Sequence, residues 1–230
     1  MTIAHGIVVG GVPIPGTERV IRDSRAWWTE GRETRPRDGR AVDMVIGHWT
    51  AGPARTGPGA GLSLFRAMEG RKNADGEDLS VSVQLSISWD GLIWQHADLE
   101  VGCVHVGARP IIRRSVGVEC MWPGTTAQAA RLGVAGSAVR RPIDGVTASC
   151  LAPSDALLES WRWLCDALTG PEARALGIRI PRRTLGLRRT LGELARSPGG
   201  VGEHATLPRG APVKIDACGL LLEATGYPAA

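Results

Sequence analysis

The stretch Val201–Gly219, VGEHATLPRGAPVKIDACG, places a His, a Lys, an Asp and a Cys within 19 residues. Imidazole, carboxylate and thiolate are the donor types that hold zinc, and a nearby ammonium can polarise a carbonyl. Pro208, Gly210 and Pro212 interrupt any regular element, so the stretch reads as a loop. It lacks at least one further ligand. His48 at the end of AVDMVIGHW is a candidate for it, and His105 within GCVHVG and Glu119 within SVGVEC are further polar groups that chemistry could use.

These groups need elements to position them. Ala41–Trp49 is a largely apolar run of strand length bounded by Asp38-Gly39 and by the Gly/Pro-rich AGPARTGPGAG, which predicts a buried central strand delivering His48 and Thr50 at its end. Ser115–Met121 alternates, so Ser115, Gly117 and Glu119 share one face and Val116, Val118 and Cys120 the other. Leu79–Ile87 also alternates and, with the Asp90-Gly91 turn and Leu92–His96, predicts a hairpin. A second hairpin is expected around Gly10-Gly11, and short helices over Arg19–Trp28 and Leu62–Met68. Ser154–Leu168 is the strongest helix pattern, with Ser154 as N-cap and a Leu/Trp stripe facing the core. The segment Pro123–Ser149 has few apolar anchors and reads as an insertion or long loop. Strands interleaved with helices predict an α/β fold, a mixed central sheet flanked by helices. The expected organisation is one domain over 1–230, with an N-terminal extension to about residue 40, a core to about 219 and a short C-terminal tail.

Composition narrows the functional classes. At 230 residues a sizeable core is available without disulfide staples. No apolar run reaches the roughly 18 residues of a membrane span. The N-terminal MTIAHGIVVGG lacks a basic region, so synthesis in the cytoplasm without a signal peptide is expected. Five cysteines without CxxC pairing predict free thiols in a reducing compartment. The net charge is +4, and Arg174–Arg196 carries seven Arg against Glu193 alone. Such a segment suits an anionic partner, whether nucleic acid, membrane surface or wall polymer, or is a solvated surface.

The order of five pieces resembles the zinc-dependent N-acetylmuramoyl-L-alanine amidases of the type 2 family, which includes phage lysozyme-type amidases, cytosolic anhydro-muropeptide amidases and peptidoglycan recognition proteins. VIGHWTAG resembles the family's strand ending in His-x-Thr-Ala, and VSVQLSISWDGLIWQH its central hairpin. CVHVG is similar to the Trp-His-Ala-Gly segment, with Val104 in place of Trp, and SVGVE to the Ser-Ile-Gly-Ile-Glu strand. GEHATLPRGAPVKIDACG resembles the closing Gly-His…Lys-x-Asp-Pro-Gly loop, lengthened and ending Asp216-Ala217-Cys218-Gly219.

The resemblance implies a Zn2+ site formed by His48, His204 and Asp216, with Cys218 as the rival third ligand. It implies hydrolysis of the amide between N-acetylmuramic acid and L-alanine of the stem peptide. Lys214 stands where the family stabilises the oxyanion, and it is one of only two lysines beside the many arginines. One branch of the family uses a hairpin Tyr as general base. The single Tyr here is Tyr227, outside the motif, so Glu119 takes that role. His105, Thr50 and Trp49 are expected to line the substrate groove.

The implied protein is a monomeric peptidoglycan hydrolase, a phage or prophage endolysin acting on the cell wall. The alternatives are a cytosolic enzyme recycling anhydro-muropeptides and a non-catalytic peptidoglycan-binding module, which loss of the third ligand would mark. Specific nucleic-acid binding through the Arg-rich segment would explain none of the His, Glu and Lys pattern.

Overall fold

Met44–Trp49 folds as a central strand because nearly every residue in it is apolar, and the sheet buries both of its faces. The computed structural model describes residues 2–29, 34–72, 75–76, 81–106, 108–143, 146–188, 191–204 and 219–229. In chain order the strands begin with β1 (Ile3–His5), β2 (Val8–Val9), β3 (Val12–Pro13), β4 (Val20–Asp23) and β5 (Thr34–Pro36). They continue with β6 (Met44–Trp49), β7 (Leu85–Ile87), β8 (Ile93–Gln95), β9 (Val101–Cys103) and β10 (Ser115–Cys120). The last four are β11 (Ala138–Ile143), β12 (Val146–Leu151), β13 (Thr184–Arg188) and β14 (Gly200–His204). The helices are α1 (Ala60–Glu69), α2 (Arg109–Ile112), α3 (Thr126–Arg131), α4 (Asp155–Thr169), α5 (Pro171–Ala175), α6 (Leu191–Arg196) and α7 (Leu220–Thr225).

One eight-stranded sheet runs β1-β4-β8-β7-β10-β6-β14-β13. Its centre is parallel, with β10, β6 and β14 side by side, and its hairpin β7–β8 is antiparallel. This is the mixed α/β sheet that the sequence predicts. Strand alternation sorts the side chains. Val45, Val116, Val118, Cys120 and Val201 pack with Leu157, Trp161, Leu164 and Leu168 of α4 and with Leu221 of α7. Each large apolar side chain buried there contributes about 1.5–3 kcal/mol. Met44 and Ile46 point the other way, against Ile111, Ile112 and Leu185. Gly47 lies on the α4 side, where a Cβ would stand 2.8 Å from Leu221 and 2.9 Å from Trp161, so glycine lets both helices approach the sheet. As expected, Ser154 caps α4 by accepting from the Leu157 N–H at 3.2 Å.

Several sequence expectations are corrected. Arg19–Trp28 forms strand β4 and a 3-10 turn at Ser24–Ala26, because Val20–Arg22 pair with β8 and Ile21–Asp23 with β1. The expected N-terminal extension thus supplies two strands, β1 and β4, to the main sheet. The described part of Pro123–Ser149 is structured. It contains α3, capped by Thr125, and β11, which pairs with β12, while Cys150 and Leu151 reach the main core. The opening of Val201–Gly219 is strand β14, not loop. Its glycines fit a crowded position: a Cβ on Gly202 would lie 3.1 Å from Ile46 and 3.3 Å from Leu185.

The thiols also divide differently. Cys103, Cys120 and Cys165 are free and buried, whereas Cys150 is disulfide-bonded. Among the described residues no helix is long and apolar enough to cross a membrane.

Candidate functional site

Parallel strands deliver their last residues to one edge. In the β10–β6 register Glu119 lies directly opposite His48. On the other side of β6, Glu203 pairs with Gly47, so His204 is the next position along β14, at the same edge. The alternation that puts Val45 and Gly47 on the α4 side puts His48 on the opposite face. By the same count Ser115, Gly117 and Glu119 of β10, and position 204 of β14, belong to that opposite face. Positions 119, 48 and 204 therefore lie side by side at the ends of three adjacent strands.

His48 is buried, with its Nε2 2.9 Å from Nδ1 of His105. The rings meet edge to face, 5.1 Å between centroids. His105 Nε2 is 2.9 Å from Ser115 Oγ, and the Ser115 hydroxyl donates to the Ile111 carbonyl at 2.7 Å. His105 reaches this position because residue 117 is glycine; a Cβ there would be 2.5 Å from His105 Cγ. His105 was expected to line the groove, but both its ring nitrogens face protein partners.

Glu119 is half-buried and opens onto a cleft of about 210 Å³. Thr50, Arg55, Leu64, Met68 and Arg71 line the rest of it, between the end of β6 and helix α1. Thr50 therefore lines this cleft. Trp49 does not: it is buried, stacked edge to face on Trp122 at 4.9 Å and packed on Gly124. The larger cleft, about 630 Å³, lies beyond the starting end of β6, among Arg37, Arg40, Val42, Leu176 and Arg179. It is remote from the chemistry, and the buried Arg37 guanidinium there is already donated to the carbonyls of Leu99, Ile112 and Ser115.

Glu203 is the residue that sequence reasoning missed. Its side chain lies on the α7 side, fully buried, and accepts from the N–H of Gly219 at 2.8 Å and of Leu222 at 2.9 Å. It ties the end of β14 to the start of α7, the two described ends flanking 205–218. Burial pushes its pKa up to about 7, against the lowering effect of the backbone donors. Lys214, Asp216 and Cys218 lie outside the described residues, as does the His204 side chain. Among the described residues no group of three His, Cys, Asp or Glu converges as a metal site. The donor chemistry still suits zinc, since two imidazole positions share one face at one edge and the adjoining segment supplies a carboxylate and a thiol in sequence.

Residues 38–186 match the sequence pattern of the N-acetylmuramoyl-L-alanine amidase family, well over half of the chain. The chain belongs to this family. Amidase-family membership agrees with the order of motifs and with the mixed sheet they build. A search of curated proteins finds no match. Among solved structures, a selenomethionine AmpD derivative is similar with 16% identity and a TM-score of 0.44, over 79% of this chain and 82% of that one. A peptidoglycan recognition protein, PGRP-Hd from Alvinella pompejana, has 18% identity and a TM-score of 0.44, over 70% and 84%. The amidase AmiD from E. coli, solved with anhydro-N-acetylmuramic acid-L-Ala-D-gamma-Glu-L-Lys, has 16% identity and a TM-score of 0.38, over 70% and 51%. Family membership rests on the sequence match, not on these superpositions.

His96, on the hairpin of this amidase-family domain, is fully enclosed. Its Nδ1 donates to the Ala26 carbonyl at 3.0 Å and its Nε2 meets Ser86 Oγ at 2.7 Å. Burial lowers its pKa from 6.5 to about 4. The native state therefore binds this proton less readily than the unfolded chain, so the contribution is complete above about pH 6.5 and declines towards pH 4. At full expression it is on the order of 3 kcal/mol. Glu203, raised to about 7, acts in the opposite sense between roughly pH 7 and 4.5, so the wild-type curve alone is flattened. The difference in Tm between wild type and His96→Gln should shift in favour of the variant as the pH falls from 6.5 to 4. A difference that stays constant would exclude His96 as a buried neutral group.

Proposed function

We propose that this chain is a zinc-dependent peptidoglycan amidase that cleaves the bond between N-acetylmuramic acid and the L-alanine of the stem peptide. The observation that carries the reading is the pairing of His48 with Glu119 across adjacent strand ends, with position 204 on the same face. His48, His204 and Asp216 would hold the metal. A zinc ion held there supplies Lewis acidity towards water and towards the scissile carbonyl. Glu119 would take a proton from the attacking water and return it to the alanine nitrogen as the C–N bond breaks. Lys214 would hold the developing oxyanion. Arg55 and Arg71, which line the Glu119 cleft, suit the carboxylates of a stem peptide.

The Cys150 disulfide favours work in an oxidising space, as for a lytic enzyme at the wall, over cytosolic muropeptide recycling.

The test is incubation of purified peptidoglycan with the zinc-loaded chain, with and without chelator, followed by end-group analysis. New N-terminal alanine that disappears with chelator is the expected product. New reducing sugar ends instead, or binding without any cleavage, would overturn the proposal. Zinc content should fall in Asp216→Ala and persist in Cys218→Ala; the reverse would exchange the two ligands.

A further inference from the structure

The hydrogen bonds around His48 fix where protons can sit. The Ser115 hydroxyl has one hydrogen, and the Ile111 carbonyl, which can only accept, takes it at 2.7 Å. Ser115 Oγ must therefore accept from His105 Nε2–H, 2.9 Å away. A neutral His105 protonated on Nε2 carries its lone pair on Nδ1. That lone pair faces His48 Nε2 at 2.9 Å, so His48 must donate from Nε2. The lone pair of His48 is then left on Nδ1. Each step follows from the one before, beginning at a main-chain carbonyl on α2 and ending on a side chain of β6.

We propose that Ser115 and His105 are positioning residues that lock His48 in the Nε2–H tautomer, so that Nδ1 is the atom presented to the metal. Metal-bound imidazoles are oriented and made more basic by the acceptor on their other nitrogen. Here that acceptor is a second, neutral imidazole whose own tautomer is set by a serine. Gly117 is part of the device, because it leaves room for the His105 ring against β10. The role explains why His105 is buried with both nitrogens occupied instead of facing the cleft. It rests on the zinc reading of His48 given above.

Zinc affinity, measured by competition with a chromogenic chelator, and the nitrogen spectrum of the metal-free protein test it together. The chain has five histidines, so the two-bond nitrogen–proton correlations are resolvable. His48 and His105 should both show the Nε2–H pattern. An Nδ1–H pattern at either residue overturns the proposal, whatever the protein does with metal. Among variants, His105→Asn can keep an acceptor towards His48, while His105→Gln can keep only the donor towards Ser115. Zinc binding should weaken by roughly 10–100-fold in His105→Ala and His105→Gln, and by clearly less in His105→Asn. Ser115→Ala should fall between. Equal affinities across the set, or better retention in His105→Gln than in His105→Asn, would overturn the positioning role. Circular dichroism establishes that each variant compared is folded. A wild-type chain that binds no zinc would end the zinc reading and the positioning role with it. A wild type that binds zinc as tightly as His105→Ala would end the positioning role alone.

Discussion

Glu119→Gln should lower the rate of amide hydrolysis by roughly 10²–10⁴-fold, the range lost when a positioned general base is removed. Glutamine keeps the size and the acceptor oxygen of Glu119 but cannot take a proton from water. The side chain stands at the end of β10, opposite His48, and opens into the cleft shared with Thr50, Arg55 and Arg71. The loss should appear in kcat, with KM for a muropeptide changed little, because the arginines that suit its carboxylates are untouched. Zinc content and Tm should stay near wild type, which separates a catalytic loss from a structural one. Hydrolysis within a few-fold of wild type would remove Glu119 as the base, and Lys214 or a group in 205–218 would have to be examined in its place.

Glu203→Leu should be the most damaging substitution away from the cleft. Two main-chain donors, on Gly219 and Leu222, lose their acceptor in an interior that excludes water. Leaving a buried donor unsatisfied costs about 1–3 kcal/mol. Part of that is returned, because the cost of burying the ionised carboxylate, visible in a pKa of about 7, is removed as well. A net loss of about 2–4 kcal/mol follows, equivalent to a fall in Tm of roughly 5–15 °C for a chain of this size. The consequence for the site is separate. Gly219 is the near end of α7, directly after the segment that carries Lys214 and Asp216 in sequence, and position 204 adjoins Glu203 on the strand. Zinc affinity should therefore drop even at temperatures where the variant is fully folded. Unchanged Tm and unchanged zinc affinity would show that Glu203 does not tie β14 to α7 in solution.

The parts of the molecule legible in the sequence are those where one periodicity dominates. Met44–Trp49 is almost uniformly apolar, Ser115–Cys120 alternates, and Ser154 precedes a clear helical stripe; each became the element expected. Glu203 escaped because it sits among glycines, in VGEH, where no apolar alternation marks a strand. The space beside Ile46 and Leu185 requires those glycines, and such a requirement exists only in three dimensions. Pro123–Ser149 escaped for a related reason: part of what holds it is long-range, such as the Gln128 side-chain amide donating to the Ala51 carbonyl at 2.8 Å. Five motifs in order pointed to His48, His204 and Glu119. They could not reveal that His105, 57 positions from His48, is bonded to it. Trp49 was read from its neighbourhood to His48, but strand alternation turns adjacent residues to opposite faces, and that turns its indole into the core.

The ladder of β10, β6 and β14 also acts as a ruler. Neighbouring strands lie about 4.8 Å apart, held by main-chain hydrogen bonds. The spacing of positions 119, 48 and 204 is thus written in the backbone and not in the packing of any one side chain. Trimming an apolar residue under α4 should lower the melting temperature while leaving turnover per folded molecule unchanged. Heat inactivation would then track unfolding as a single event, without an earlier phase in which a folded but distorted catalyst accumulates.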